Sequence, residues 1–187
     1  MEVRLLFRPP LVDNAIQSKK ERMDNIAIMN KARENYRLEY EIQLKRQAAL
    51  SFEQYKNDLL FVAGIMLYWA EGKTTKNEVY NLELNNSNPN LLKLYCNFLR
   101  KYLNIKDSLF RVRLFLYPDL DERKVKLFWS KLLNFPLSQF IKSYICKIRS
   151  TITKNKLQYG TCSVYIGSRV LRLTMEVWIQ KFVSLYC

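Results

Sequence analysis

A run of twelve consecutive apolar residues, LLFVAGIMLYWA at 59–70, constrains the fold of this chain more than any other feature. The run follows Asp58 and ends directly at Glu71, Gly72 and Lys73. Because a helix needs about 20 apolar residues to cross a bilayer, this shorter segment predicts a buried helix. A carboxylate directly after so apolar a segment requires an explanation, since carboxylates are rarely buried without a partner.

The length and composition favour a globular protein. With 187 residues, 49% of them apolar and 26% charged, the chain can form one buried core and an appendage. The opening MEVRLLFRPP lacks the long apolar region and cleavage site of a secretory signal, so we expect a cytoplasmic protein without a membrane anchor. The four cysteines are widely spaced, which favours reduced, mostly buried thiols at Cys96, Cys146, Cys162 and Cys187.

The chain contains no histidine, and this absence excludes several kinds of catalytic site. Nucleophile systems that rely on an imidazole base and zinc sites with histidine ligands each lose a required member. Any catalysis must therefore use carboxylates, lysines or tyrosines.

The positive charge is concentrated after the apolar run. Residues 1–72 hold 11 Lys/Arg and 10 Asp/Glu, whereas residues 137–187 hold 8 Lys/Arg and a single acid. A solvated basic surface explains part of the net charge of +14. A uniformly basic second half is, however, the pattern expected of a protein that binds a polyanion, and nucleic acid is the partner that it favours.

The N-terminal part predicts one or two long helices. Neither glycine nor proline occurs between Leu11 and Ala63, and the composition favours helix. Ser51 and Gln54 have the spacing of a capping box, which predicts a break near residue 50. We therefore expect a helical arm over residues 1–50 and a domain over residues 51–187.

The second part predicts an α+β domain with the order α-α-β-α-β-α-β-β-α. Strands are expected at 79–84 and 109–117, with an Asn88-Pro89 cap starting a helix over 89–103. In the second strand, alternate residues form an apolar face and a face with Arg111, Arg113, Phe115 and Tyr117. A helix to about 134, a strand pair around a basic turn at 154–156 and a final helix capped by Ser168 complete the prediction.

The apolar run also resembles a known motif. GIMLYWAEG at 64–72 resembles a diverged LAGLIDADG motif, and LYWAEGK at 67–73 followed by NSNP at 86–89 is similar to a single-motif group of the LAGLIDADG-like homing endonuclease superfamily. The likeness covers about residues 58–181.

This resemblance implies a dimer and a metal site. In that superfamily the motif helices pack together at a twofold axis and deliver one acid each to metal ions beside the DNA. A chain with one motif would form a homodimer, with Glu71 as catalytic residue and Mg²⁺ ligand. The residues implied at the helix interface are Ala63, Gly64, Leu67 and Ala70.

The resemblance and the charge pattern together predict contacts with double-stranded DNA. Basic residues on strands and in neighbouring loops would meet phosphates or base edges. These residues are Lys73, Lys76, Arg111, Arg113, Lys147, Arg149, Lys154 and Lys156.

Three functions are compatible with these features. One is a Mg²⁺-dependent DNA endonuclease, and another is a catalytically inactive DNA-binding regulator. Met66 stands where the motif has a glycine, and Asn88 stands where similar proteins often have an acid, which favours the inactive form. The third is an RNA-binding accessory protein, for example in intron splicing, because Phe115 and Tyr117 lie beside the arginines.

Overall fold

The computed structural model describes residues 19–73, 81–147 and 157–186, with side chains described from residue 22 onward. It confirms the α+β class and the predicted order of elements. The helices are α1 (Lys19–Tyr55), α2 (Leu59–Glu71), α3 (Pro89–Leu103), α4 (Glu122–Leu133) and α5 (Arg169–Tyr186). The strands are β1 (Asn81–Asn86), β2 (Arg111–Leu116), β3 (Tyr144–Ile145) and β4 (Thr161–Gly167).

The chain divides into two compact units, Met1–Ile42 and Gln43–Cys187, with the boundary inside α1. The described part of the first unit is helical, and most of its side chains are exposed. The second unit contains the sheet and helices α2 to α5.

The predicted helix break near residue 50 is wrong. Helix α1 continues through Ser51, whose hydroxyl donates a hydrogen bond to the carbonyl oxygen of Ala48 at 2.8 Å. A serine can bond to its own helix in this way instead of capping a new one. Ala48 is buried, and its carbonyl also accepts a hydrogen bond from Trp178 Nε1 at 3.0 Å, so the second unit's core extends before residue 50.

The four strands form one mixed sheet in the order β1-β4-β2-β3. Strand β4 pairs antiparallel with both β1 and β2, and β3 pairs parallel with β2. The predicted strand pair around a basic turn is therefore wrong, because β2 lies between β3 and β4. The turn residues 154–156 lie outside the described part of the chain.

The core lies on one face of this sheet. Alternate side chains of β1, β2 and β4 are buried there, which confirms the alternation predicted for the second strand. They pack against aromatic side chains from α2 to α5, including Phe61, Phe98, Trp129 and Trp178. The buried strand residues are Leu82, Leu84, Val112, Leu114, Leu116, Cys162, Val164 and Ile166.

Two predicted helix starts are confirmed by their hydrogen bonds. The Asn88 side chain accepts from the backbone N–H groups of Asn90 and Leu91 at 3.0 and 3.3 Å, with Pro89 in the first turn. The Ser168 hydroxyl accepts from Leu171 N at 3.3 Å at the start of α5. These signals are local, so the sequence alone could locate them.

The described cysteines are free thiols, as expected. Cys96 and Cys162 are buried and Cys146 is half-buried. Burial raises the pKa of the Cys96 thiol to about 12, so it stays protonated at neutral pH. None of the described helices has the length and apolarity needed to span a membrane.

Candidate nucleic-acid interface

The second face of the sheet carries polar, basic and aromatic side chains. The strand register places Glu83, Tyr165 and Arg111 in one row across β1, β4 and β2. The next row holds Asn85, Ser163 and Arg113, and a further row brings Thr161, Phe115 and Tyr144 together. Because helices α2 to α5 pack on the opposite face, we call this surface the open face.

The two arginines of β2 are exposed on the open face, as predicted. The Arg113 guanidinium lies over the ring of Tyr165 at 6.0 Å from the ring centroid, which is within the range of a cation–π contact. Arg111 Nη1 donates to the carbonyl oxygens of Ser108 and Phe110 at 2.7 and 2.8 Å. These contacts orient both groups without neutralising their charge.

One acidic side chain also lies on the open face. Glu83 is half-buried, and its Oε1 accepts a hydrogen bond of 2.7 Å from the hydroxyl of Ser163, which is fully buried. The alternation of β1 predicts that Glu83 points away from the core, but its pairing with Ser163 depends on the register between β1 and β4. The sequence therefore did not predict that Glu83, Ser163 and Tyr165 lie together on this face.

The end of α2 is joined to the edge of β1. Lys73 N donates to Glu83 O at 3.0 Å, and Gly72 forms an isolated bridge with Leu84. Glu71 is exposed at this end, and its carboxylate has no hydrogen bond or ion pair with the described residues. The candidate acid therefore lies at the sheet edge and is exposed there.

Tyr68 is hydrogen-bonded to the backbone that follows α2. Its hydroxyl donates to Lys73 O at 3.2 Å, and burial raises the pKa of Tyr68 to about 12. The phenol therefore stays neutral and remains a donor at neutral pH. Nearby on α5, the nearly buried Arg172 forms an ion pair with Glu176 at 3.0 Å.

Helix α2 has one buried and one exposed apolar face. Phe61, Ile65 and Tyr68 face the core. The opposite side, which we call the outer face, carries Leu59 (88% exposed), Met66 (37%), Trp69 (42%) and the smaller Ala63 and Ala70. A continuous apolar stripe on an exposed helix is a common mark of an interaction surface.

The four residues predicted for a dimer interface are divided between these faces. Ala63 is half-exposed and Ala70 is exposed, and both lie on the outer face. Gly64 is buried, and a methyl group there would overlap the ring of Phe98 on α3 of the same chain. Leu67 is half-buried and packs against the core. Gly64 thus lies against its own chain instead of on the predicted contact surface.

The predicted DNA-binding lysines and arginines are only partly described. Lys73 and Lys147 are exposed, and Lys147 follows β3. The remaining four, Lys76, Arg149, Lys154 and Lys156, lie outside the described residues.

A single chain offers few ligands for a metal ion. Among the described residues there is no group of three or more Asp, Glu, Cys or His side chains that could hold one. Glu71 is the one exposed carboxylate at the end of α2, and Glu83 is already hydrogen-bonded to Ser163. A Mg²⁺ site at Glu71 would therefore need ligands from beyond the described residues of one chain, such as a carboxylate of another copy, carbonyl oxygens or water.

Comparisons with known proteins do not assign this chain. No protein-family model, no curated protein and no solved structure matches it. The resemblance to LAGLIDADG-like proteins therefore stays a prediction.

Proposed function

We propose that the protein binds duplex DNA as a LAGLIDADG-like homodimer, with the open face on the DNA and the outer faces of α2 packed together. The observation that carries the proposal is the open face itself. It is one continuous side of a sheet, and it presents Arg111 and Arg113 to solvent.

The pairing of charges supports this choice of surface. Several cations on the helices are neutralised by carboxylates, including Lys101 by Asp58 at 2.9 Å and Lys126 by Glu122 at 2.7 Å. Neither Arg111 nor Arg113 has a carboxylate partner among the described residues. Unpaired guanidinium groups bind phosphates and guanine edges without first breaking an ion pair.

The outer face of α2 supports the homodimer. Leu59, Met66 and Trp69 expose apolar area along one side of a helix whose other side is the core. Small residues at 63 and 70 permit the close approach of an identical helix. Packing two copies would remove this area from water and would bring two Glu71 side chains into one assembly.

Salt dependence of duplex binding tests the proposal. If about six basic side chains contact phosphates, raising the salt from about 50 to about 200 mM should weaken binding roughly 10³-fold through counterion release. The double variant Arg111→Ala/Arg113→Ala should lower the slope of log K against log salt by about 2. Fluorescence anisotropy with a labelled duplex measures both quantities.

A matched control removes two positive charges from helices α3 and α4 instead of from the open face. Lys93→Ala/Lys131→Ala changes two exposed lysines on α3 and α4 and should leave the slope unchanged. A flat salt dependence in the wild-type protein, or equal effects of the two double variants, would contradict binding through the open face. Competition with structured RNA in the same assay distinguishes a DNA-binding from an RNA-binding protein.

The exposed position of Glu71 favours DNA cleavage as a second candidate function. Bound Mg²⁺ would stabilise the attacking and leaving oxygens of a phosphodiester. Glu71→Gln keeps the size of the side chain but removes the charged ligand, so it should abolish Mg²⁺-dependent nicking of a supercoiled plasmid while duplex affinity is retained. Equal nicking by both proteins would remove Glu71 from the reaction.

A further inference from the structure

Two uncharged aromatic side chains lie together on the open face. Phe115 and Tyr144 are partners in the pairing of β2 with β3. Tyr144 is 59% exposed, and Phe115 is half-buried. Their ring centroids are 6.0 Å apart and the ring planes differ by 55°.

This geometry leaves ring area available to a ligand. Rings at this angle form a corner rather than a stack, so neither ring covers the face of the other. More than half of the Tyr144 side chain is in contact with water, so a ligand can cover it. The corner can therefore accept one flat apolar group.

The surrounding charge indicates what that group is. Arg113 precedes Phe115 on the same side of β2, and the exposed Lys142 and Lys147 flank the short strand that carries Tyr144. None of the three has a carboxylate partner among the described residues. Aromatic rings among unpaired cations suit a ligand that is flat and attached to a negatively charged chain, which describes a nucleobase on its phosphate backbone.

A base in an intact duplex cannot reach these rings, because both of its faces are stacked on its neighbours. The free-energy cost of leaving the stack is much lower for an unpaired base. We propose that Phe115 and Tyr144 form a stacking site for an unpaired base in the DNA that the protein binds. The inference rests on the proposed DNA binding and adds a preference for DNA with a bulged or extruded nucleotide.

The test uses two labelled duplexes that differ at one position. One carries a single bulged 2-aminopurine, and the other carries the same base paired with thymine. The full-length protein should bind the bulged duplex about tenfold more tightly, and stacking should quench the 2-aminopurine fluorescence. Tyr144→Ala should abolish the preference and the quenching, because it should weaken binding of the bulged duplex about tenfold more than binding of the paired duplex, whereas Tyr144→Phe should keep both.

Tyr186→Ala is the matched control, since Tyr186 is 73% exposed at the end of α5. It should change neither affinity. Equal binding of both duplexes by the wild-type protein would overturn the stacking site while leaving duplex binding intact, whereas failure to bind either duplex would overturn the proposed function first. A change in oligomeric mass for Tyr144→Ala without any change in binding would assign the corner to a contact between copies, and so would also overturn the proposal.

Discussion

At the scale of single residues, Gly64 sets how closely α2 approaches α3. Its position is buried, and the ring of Phe98 fills the space that a side chain would occupy. Gly64→Ala should therefore lower the free energy of unfolding by about 1–3 kcal/mol through overpacking. Urea unfolding followed by circular dichroism measures this change.

Gly167 provides the control for this substitution. Within the described part of the chain, a methyl group there would meet only the side-chain oxygen of Asn81, at an ordinary contact distance of 3.5 Å. Gly167→Ala should leave the unfolding midpoint unchanged or raise it slightly, because it restricts the unfolded chain. Equal midpoints for the two variants would show that the contact with Phe98 does not limit packing.

Two buried tyrosines differ in what their hydroxyl groups contact. Tyr68 donates to Lys73 O, whereas Tyr95 Oη has no hydrogen-bond partner among the described residues. Burial raises the pKa of Tyr95 well above its ordinary value, so the buried hydroxyl stays neutral. An unpaired buried hydroxyl opposes folding, and a paired one supports it.

Tyr95→Phe should consequently raise the free energy of unfolding by up to about 1 kcal/mol, and Tyr68→Phe should lower it by about 0.5–1.5 kcal/mol. The two rings are stacked with their centroids 6.2 Å apart. Each variant removes one hydroxyl oxygen from this pair, so each is the control for the other. Thermal unfolding of the wild-type protein and of each variant measures the change in the free energy of unfolding. Destabilisation by Tyr95→Phe would contradict the absence of a partner.

At the scale of elements, α2 shows what the sequence can and cannot predict. Its start, length and end follow from Asp58, the apolar run and Gly72, and the observed helix matches them. The choice of inward and outward faces does not follow, because apolar residues surround the whole helix and leave no polar side to mark the solvent. For this reason the sequence did not show that Gly64, predicted at a helix interface between two copies, lies against Phe98 of its own chain.

Strand pairing shows the same limit over a longer distance. The alternation in β2 predicted its buried face, since that pattern lies within one segment. The neighbours of β3 and β4 depend on contacts between remote segments, and proximity in sequence suggested a hairpin that does not form. The contact between Glu83 and Ser163 was not predicted, because it depends on the register between β1 and β4.

The outer face of α2 gives a prediction about assembly. If two copies pack through it, Met66→Glu should weaken the dimer about 100-fold or more, because a carboxylate would be buried without a partner. The variant should stay folded, since Met66 is exposed in the single chain. Sedimentation velocity at micromolar concentration measures the mass of each protein.

Leu94→Glu is the corresponding control on α3, where Leu94 is exposed to a similar extent. It adds the same charge to an exposed apolar position that is not on the outer face of α2, so the dimer should persist. A monomeric wild-type protein, or equal dissociation by both variants, would rule out assembly through the outer face.

At the scale of the whole molecule, charge and packing divide the chain at similar places. Residues 1–42 hold eight Lys/Arg and seven Asp/Glu, whereas residues 43–187 hold 23 and 10. The second compact unit therefore carries nearly all of the excess positive charge. If duplex binding is mainly electrostatic, this unit alone should account for it.

A pair of truncations tests this division and the position of the boundary. The fragment 43–187 should bind duplex DNA with the same salt dependence as the full chain, and should unfold at a similar urea concentration. The fragment 51–187, cut at the boundary that the capping box suggested, lacks Ala48. Ala48 is buried in the core, and its carbonyl accepts hydrogen bonds from Trp178 Nε1 and Ser51 Oγ. Its loss should lower the free energy of unfolding by about 1–3 kcal/mol.

Comparing the two fragments separates the role of the core from that of the charge, because residues 43–50 add only Lys45 and Arg46 to the net charge. If the loss of packing at Ala48 lowers the stability of the fragment 51–187, adding two positive charges elsewhere in that fragment would not restore it. Charge reversal at both positions in the longer fragment, Lys45→Glu/Arg46→Glu, should leave its unfolding midpoint nearly unchanged, since both side chains are exposed. Equal stability of the two fragments would show that the core begins after residue 50, and loss of DNA binding by 43–187 would assign a direct role to the N-terminal helix.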